Sequence, residues 1–243
     1  LPLIVPKWEG YNIATHLEDT FGRPVFVDND ANLGALAELW WGAGASASDI
    51  AFVKVATGIG AGLIIDGRIF RGSSGIAGEI GHTSIDAGGP RCVCGLNGCL
   101  TTLVGTPALL ERAQAQLRAL GSNRPPPATV EELVNAALDG DPPSVELMQY
   151  AGEKLGVGIA NMLNLLNPST VVIGGGIARA GDLLLDPIGE TIRGLSLPAS
   201  ISTTEIKTTS LHEWGIALGG ATLALEAALQ TPALFPARFQ GAH

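Results

Sequence analysis

The amino-acid sequence predicts an α/β fold. Short apolar segments such as IAFVKVA and TVVIGGGI are rich in β-branched residues and end near glycines, and longer helical patterns separate them. The chain has 243 residues, of which 46% are hydrophobic and 15% charged, so it can bury a sizeable core. This alternation of strand and helix patterns favours an α/β fold over an all-α or all-β one.

The first third of the chain predicts one strand, one helix and a β-meander. The segment PVFVDN (24–29) predicts a strand, and Asp30 precedes the amphipathic helix pattern ANLGALAELWWGA. Residues 50–56 and 61–67 predict two strands on either side of TGIG. An Asp-Gly turn then leads into RIFRG, which indicates a third strand in the meander.

The rest of the chain predicts helices around one buried strand. Three helices follow the cysteines: PALLERAQAQLRAL, then TVEELVNAALDG with Thr129 and Glu132 as a capping box, then residues 144–166. The linker SNRPPP separates the first two. Residues 170–177 predict a buried strand that enters a glycine turn, followed by a helix over 181–195 and a last helix from about 214 to 229.

Charge and hydropathy exclude several classes of function. The chain has 14 Lys and Arg and 23 Asp and Glu, which give a net charge of -9, and it has no basic cluster. Contact with nucleic acid would therefore need another segment. The sequence has no segment of about 20 apolar residues for a membrane span and no opening signal peptide, so we expect a cytoplasmic protein. Because the chain begins at Leu1 without Met, we expect it to be part of something longer.

The three cysteines of the chain fall within RCVCGLNGCLTT and predict a metal site. Cys92, Cys94 and Cys99 are spaced Cys-x-Cys-x4-Cys, and His82 in EIGH lies ten residues upstream. Three thiolates and one imidazole form a closed zinc set. The alternatives are buried reduced cysteines, or one disulfide with a thiol left over, and a Cys92–Cys94 disulfide is disfavoured by geometry. His16, His212 and His243 remain other candidates for the fourth ligand.

Asp30 has two interpretations. At the junction of a strand and a helix it can N-cap the helix and need no chemistry. Alternatively, Asp30 accepts the proton of an attacking hydroxyl while Asn29 binds a neighbouring hydroxyl of the same substrate.

Two glycine-rich segments, ATGIGAG and IGGGIA, are candidates for binding phosphate through backbone N–H groups. Neither matches a Walker P-loop, and no GxGxxG stands in a first βα turn. Tight turns alone would also explain them in a chain with 33 glycines.

Taken in order, VDNDAN, ATGIGAGLIIDGRIFRG, GIAGEIGH, CVCGLNGC and VVIGGGIARAGDLLLDPI resemble the ROK family of bacterial sugar kinases and sugar-responsive repressors. The resemblance implies an actin-like ATPase (ribonuclease H-like) fold with sugar and ATP in a cleft between two lobes. It implies a remnant of the smaller N-terminal lobe over 1–45, the large C-terminal lobe with the zinc site over 46–212, and a C-terminal helix and tail returning to the small lobe over 213–243.

The resemblance also implies roles for individual residues. Asp30 matches the catalytic base, Asn29 and Glu79 match sugar ligands, and His82 matches a residue shared between sugar and structural zinc. The implied metal ligands are His82, Cys92, Cys94 and Cys99. The implied sugar contacts are Asn29, Asp30, Gly58, Glu79, His82 and the position of Thr101. The implied nucleotide contacts are Thr57, Gly58, Gly60, Gly174, Gly175 and Gly176.

Two departures from the family bear on activity. The chain lacks the phosphate loop DxGGT, so half of the ATP clamp is absent and we do not expect this chain alone to phosphorylate sugar. Thr101 stands where the family has a sugar-binding Glu, and a hydroxyl is shorter, neutral and a weaker acceptor.

The sequence therefore predicts a sugar-binding, oligomerising effector domain of a ROK-type repressor, which contacts DNA only through a segment outside this chain. The segments P-x-W-E-G (6–10), VKVATGIGAG and PALFPARF (232–239) look like the repressor branch. An ATP-dependent hexose or N-acetylhexosamine kinase using Mg-ATP is the alternative, and a degenerate protein that binds neither sugar nor DNA is a third. The family resemblance implies a homodimer or homotetramer.

Overall fold

The structure is a computed structural model that describes residues 10–234. Residues 6–9 and 235–239, on which part of the expected repressor likeness depends, lie outside the described range. None of the helices within 10–234 is long and apolar enough to span a membrane.

A five-stranded mixed sheet in the order β3-β2-β1-β4-β5 forms the centre of the fold. Its strands are β1 (Ile50–Val55), β2 (Ile59–Ile65), β3 (Arg68–Ile69), β4 (Thr170–Gly174) and β5 (Glu205–Thr208). The first three are antiparallel, as the predicted meander requires, and Asp66 and Gly67 both have positive φ in the turn between β2 and β3. β4 is parallel to both β1 and β5, so the carboxyl ends of these strands lie at one edge of the sheet.

The helices cover both faces of the sheet. They are α1 (Ile13–Phe21), α2 (Asp30–Trp41), α3 (Leu100–Val104), α4 (Thr106–Ala119), α5 (Val130–Leu138), α6 (Pro142–Leu166), α7 (Asp182–Leu195), α8 (Pro198–Thr203) and α9 (Gly215–Gln230). The side chains of β1 alternate between two cores. Val53 and Val55 belong to the larger core with α4 to α7, whereas Ile50 and Phe52 pack with Ala35 of α2.

Helix α9 packs against α2. Trp40 Nε1 donates to Glu226 Oε1 at 3.0 Å, and Trp41 Nε1 donates to Thr222 Oγ1 at 2.7 Å. These bonds join residues more than 180 positions apart in the sequence. The last helix of the described chain therefore lies beside the helix that begins with Asp30.

The structure corrects two expectations about the segment before α2. Residues 24–29 are not a β-strand, because no strand in the described part of the chain lies beside them to complete a ladder. Asp30 is not the N-cap, because Asn29 has extended backbone angles and its Oδ1 accepts the bond from Ala31 N at 2.8 Å. Asp30 is the first helical residue, and its carboxylate is available for another contact.

Candidate functional site

Four potential metal ligands come together beside α3. The ligand atoms of His82, Cys92, Cys94 and Cys99 all lie within 4.8 Å of one another, and the three cysteines are free thiols. His82 Nδ1 lies 3.5 Å from Cys92 Sγ, and Cys94 Sγ lies 3.5 Å from Cys99 Sγ. Zn–S bonds of about 2.3 Å at tetrahedral angles place two sulfurs roughly 3.7 Å apart. The donor set and its spacing therefore fit zinc.

The loop that carries the cysteines depends on a close backbone approach. Gly98 has φ +61°, and a Cβ there would lie 1.5 Å from the carbonyl oxygen of Asp86. Cys92 N donates to Leu96 O at 2.8 Å, and Gly98 N donates to Pro90 O at 2.8 Å. These bonds hold the loop in a tight fold that a side chain at position 98 would prevent.

The thiols differ in how readily they ionise. The backbone N–H of Leu96, followed by bonds to the neighbouring thiols, lowers the pKa of Cys94 to about 7. Burial raises the pKa of Cys99 to about 12, and the neighbouring Cys94 and Cys92 add to this shift. Because a metal binds the thiolate form, metal binding at this cluster would release a proton from Cys99.

His82 also connects the cluster to a carboxylate. Its Nδ1 faces Cys92, whereas its Nε2 lies 3.9 Å from Glu79 Oε2. His82 ends a short 3-10 turn and Glu79 is the N-cap of that turn. The turn lies at the edge of β2, where Ala61 N donates to Gly78 O at 2.7 Å. A Cβ at Gly78 would lie 1.8 Å from Ala61 O, so this close approach needs glycine.

The start of α2 lies on the face of the same strand. A Cβ at Gly62 of β2 would lie 2.0 Å from the carbonyl oxygen of Ala31, which shows how closely the helix approaches. β2 therefore has the Asn29–Asp30 corner on one face and the Glu79–His82 turn along its edge. The two groups of candidate sugar ligands are attached to one strand.

Asp30 forms an ion pair that sequence reasoning missed. Lys54 Nζ of β1 bonds to Asp30 Oδ2. The Lys54 side chain is 23% exposed and that of Asp30 is 52% exposed, so the pair lies on an open face. A lysine in the middle of the apolar pattern IAFVKV was the signal that could have identified it.

Asp28 is a second residue that sequence reasoning missed. Its side chain is only 7% exposed and accepts bonds from four donor groups. Asn29 N donates to Asp28 Oδ1 at 2.8 Å, and Asn32 Nδ2 donates to the same oxygen at 2.7 Å. Arg71 Nε donates to Asp28 Oδ2 at 3.0 Å, and Arg71 Nη2 also bonds to that oxygen. Asp28 thus ties the Asn29–Asp30 corner to the segment between β3 and Glu79.

Thr101 lies beside the first glycine loop. Its Oγ1 is 3.8 Å from the position that a Cβ of Gly58 would occupy, and Thr106 N donates to Ala56 O at 2.8 Å. Thr101 therefore lies next to Gly58, a residue that we expect to contact sugar.

The predicted nucleotide residues lie at one edge of the sheet. Thr57 and Gly58 follow β1, and Gly174 to Gly176 end the parallel strand β4, whose Gly174 pairs with Lys54. Gly60 pairs with Lys54 from the other side. A Cβ at Gly176 would lie 3.0 Å from Glu131 Oε1, so a carboxylate stands beside the second turn.

Comparison with known proteins places the chain in a family. The profile of the ROK family matches residues 4–227. A glucokinase from Halalkalibacterium halodurans is 36% identical over 225 residues, which cover 89% of this chain and 68% of the glucokinase. A xylose repressor from Caldicellulosiruptor bescii is 32% identical over 232 residues, which cover 93% of this chain but 58% of the repressor.

Solved structures give the same result. A ROK family transcriptional regulator, a homologue of the Escherichia coli MLC protein, superposes with a TM-score of 0.82 at 33% identity, over 91% of this chain and 57% of the regulator. A ROK family glucokinase from Streptomyces griseus, in complex with glucose and AMPPNP, superposes with a TM-score of 0.78 at 30% identity, over 88% of this chain and 72% of the glucokinase. The chain belongs to the ROK family and has the actin-like ATPase fold of its sugar kinases and repressors.

Proposed function

We propose that this chain is the sugar-binding effector domain of a ROK-type transcriptional regulator and holds a structural zinc ion. The observation that carries the proposal is the division of His82 between two partners. One ring nitrogen belongs to the cysteine cluster, while the other faces the Glu79 carboxylate on an open surface. A metal-bound imidazole with its second nitrogen presented beside a carboxylate suits the recognition of hydroxyl groups.

The sugar would be recognised by hydrogen bonds from residues on one face of β2 and from residues along its edge. Asp30 and Glu79 would accept bonds from sugar hydroxyls, and Asn29 and His82 Nε2 would complete the set. The Gly58 backbone, with no side chain in the way, and the Thr101 hydroxyl would border the same face. A neutral, short Thr101 supplies less to a sugar than a carboxylate would.

Zinc would act as a structural element in this site. Its four protein ligands would be His82, Cys92, Cys94 and Cys99, a closed set without an open position for water or substrate. Bound there, zinc supplies orientation and not Lewis-acid chemistry. The protein's own part is to hold the His82 ring by Nδ1, so that Nε2 is fixed next to Glu79 before the sugar arrives.

Two observations favour a regulator over a kinase. The regulator related to MLC superposes with the higher TM-score of the two solved structures, 0.82 against 0.78. Thr101 stands where the motif resemblance implies a sugar-binding carboxylate. Because this chain has a net charge of -9, we propose that contact with DNA belongs to a segment outside it.

Phosphoryl transfer to a sugar hydroxyl is the second candidate function. Asp30 favours it, because its carboxylate is half exposed and is not used as a helix cap. In that case Asp30 would be the base and Thr57, Gly58, Gly60 and Gly174 to Gly176 would contact Mg-ATP. Under either function we propose that residues 1–45 are a remnant of a smaller lobe and that residues 213–243 return toward it. We also propose that the protein forms a homodimer or homotetramer.

Calorimetric titration of the full-length protein with D-glucose, N-acetyl-D-glucosamine and D-xylose tests the proposal. We expect saturable binding of at least one of the three sugars in the absence of ATP. Glu79→Gln, which keeps the shape but removes the charge, should weaken that binding, whereas Glu190→Gln on α7 should not. The absence of binding for all three sugars would contradict the sugar-binding function.

A further inference from the structure

The position of Lys54 in the sheet calls for an explanation. Every other residue of β1 is apolar and buried, and Lys54 is the polar exception near its carboxyl end. Its register partner on β2 is Gly60 and its register partner on β4 is Gly174. A lysine between two glycines has no cross-strand side chain beside it, so its stem has room to cross the sheet surface.

The lysine uses this room to reach Asp30. Lys54 Nζ bonds to Asp30 Oδ2, and among residues 10–234 only Lys54 bonds to that carboxylate. The contact is not needed to begin α2, because Asn29 supplies the cap. It joins a central strand to the helix start beside the candidate sugar ligands, and both side chains are still partly open to solvent.

We infer that Lys54 is a further recognition residue of the sugar site and that it holds Asp30 as a hydrogen-bond acceptor instead of a base. This inference rests on the proposed sugar-binding function. An ammonium group has three N–H donors, and one is engaged by Asp30. The pair therefore presents donors and an acceptor side by side, a pattern that matches two neighbouring hydroxyls of a sugar, each of which both donates and accepts.

The same pair argues against proton abstraction by Asp30. A general base takes up the proton of the reacting hydroxyl, and a proton on Asp30 would cancel the negative charge that Lys54 Nζ pairs with. Asp30 thus occupies the position in which the motif resemblance implies a catalytic base, whereas its contact with Lys54 suits the binding of sugar hydroxyls.

Substitution of Lys54 separates recognition from a purely structural role. The full-length protein is titrated with D-glucose, N-acetyl-D-glucosamine and D-xylose, as wild type, Lys54→Met, Asp30→Asn and the double variant. Lys54→Met removes the charge and keeps an apolar stem. If Lys54→Met does not fold, Lys54→Gln is used in its place. Lys207→Met is the matched control, since Lys207 is also a strand lysine paired with a carboxylate, Glu205.

We expect Lys54→Met to raise the dissociation constant of the bound sugar roughly tenfold, as for the loss of one charged hydrogen bond, without a large change in melting temperature. The effects of Lys54→Met and Asp30→Asn should be non-additive, because the two side chains act as a pair. Lys207→Met should bind as wild type does.

Two results would overturn the inference, and they are distinguishable. If the wild type binds a sugar and Lys54→Met or Lys54→Gln binds it equally well, Lys54 is not a recognition residue, although the proposed function stands. If the wild type binds none of the three sugars, the proposed function fails and the inference fails with it.

Discussion

At the scale of single residues, Asp28 is a side chain that links the two groups of candidate sugar ligands. It is nearly buried and has neighbours on both sides of the site, Asn29 through its backbone N–H and Arg71 through its guanidinium. Arg71 lies at the beginning of the segment that leads to Glu79. Asp28 therefore positions Asn29, a candidate sugar ligand, and the segment that leads to Glu79.

Asp28→Asn should weaken both stability and sugar binding. Both Asp28 oxygens accept from N–H donors, so in either orientation the NH₂ group of an asparagine would oppose a donor, and the negative charge that Arg71 pairs with would be lost. We expect a loss of about 1–3 kcal/mol in the free energy of unfolding, measured by urea denaturation, and weaker binding of the sugar by calorimetry. Asp186→Asn, at an exposed position on α7, is the control. Equal sugar affinity in Asp28→Asn and wild type would show that Asp28 does not position the site.

Thr101 stands where the motif resemblance implies a sugar-binding Glu. Because its Oγ1 lies close to Gly58, a longer acidic side chain here would extend across the same face. We expect Thr101→Glu to increase sugar affinity several-fold, in line with the gain of one charged hydrogen bond, as measured by titration with the three sugars. Unchanged affinity would mean that position 101 does not face the sugar.

At the scale of elements, the fold of the cysteine loop requires glycine at position 98. A Cβ at Gly98 meets the Asp86 carbonyl oxygen at 1.5 Å, whereas a Cβ at Gly88 would meet only Asp86 Oδ1, at 3.6 Å. Gly98→Ala should therefore displace Cys99 and lower the zinc content of the reduced protein, and Gly88→Ala should retain it. Elemental analysis gives both values. A wild-type protein without zinc would contradict the metal site, and full zinc content in Gly98→Ala would contradict the role of the glycine.

The linker between α4 and α5 is fastened to the start of α6 by an ion pair. Both Asp141 oxygens accept bonds of 2.6 Å from Arg124, and Asp141 also caps α6 by accepting from Ser144 N. The bond to Arg124 lowers the pKa of Asp141 from 3.8 to about 2. A carboxyl with a lowered pKa stabilises the fold fully above pH 3.8, and this contribution is lost as the pH falls through about 2.

Asp141→Asn retains a capping oxygen but removes the charge. We expect it to lower the free energy of unfolding by about 1–2 kcal/mol at pH 7, because the partly exposed arginine weakens the pair. The difference from wild type should shrink below pH 4 and nearly vanish near pH 2. Urea denaturation at several pH values measures it, and a difference independent of pH would refute the electrostatic explanation.

The elements that local patterns specify were predicted well, and those that depend on distant partners were not. The Asp66–Gly67 turn identified the β2–β3 hairpin, and the Thr129 cap of α5 forms as expected, with Glu132 N donating to Thr129 Oγ1 at 3.2 Å. The polar strand β5 was missed because only its pairing with β4 makes it a strand. Likewise, Lys54 and Asp30 are 24 positions apart, so their ion pair depends on the packing of α2 against the sheet.

At the scale of the whole molecule, one sheet brings the candidate sites together. β2 carries the Asn29–Asp30 corner on its face and the Glu79–His82 turn along its edge, while the glycine turns after β1 and β4 lie at the common carboxyl edge. The family and its fold could be predicted from motifs, because the cysteine and glycine patterns are local. The proposal of sensing instead of phosphoryl transfer rests on contacts such as Lys54–Asp30, which only the folded chain shows.

Turnover is the most direct test of the central claim that this protein senses sugar and does not phosphorylate it. The full-length protein, at a sugar concentration that saturates it by calorimetry, is mixed with Mg-ATP in a coupled assay for ADP release, beside its Asp30→Asn variant. We predict that the wild type binds sugar yet releases ADP no faster than Asp30→Asn. Sugar-dependent ADP release that Asp30→Asn abolishes would contradict the account and establish a kinase.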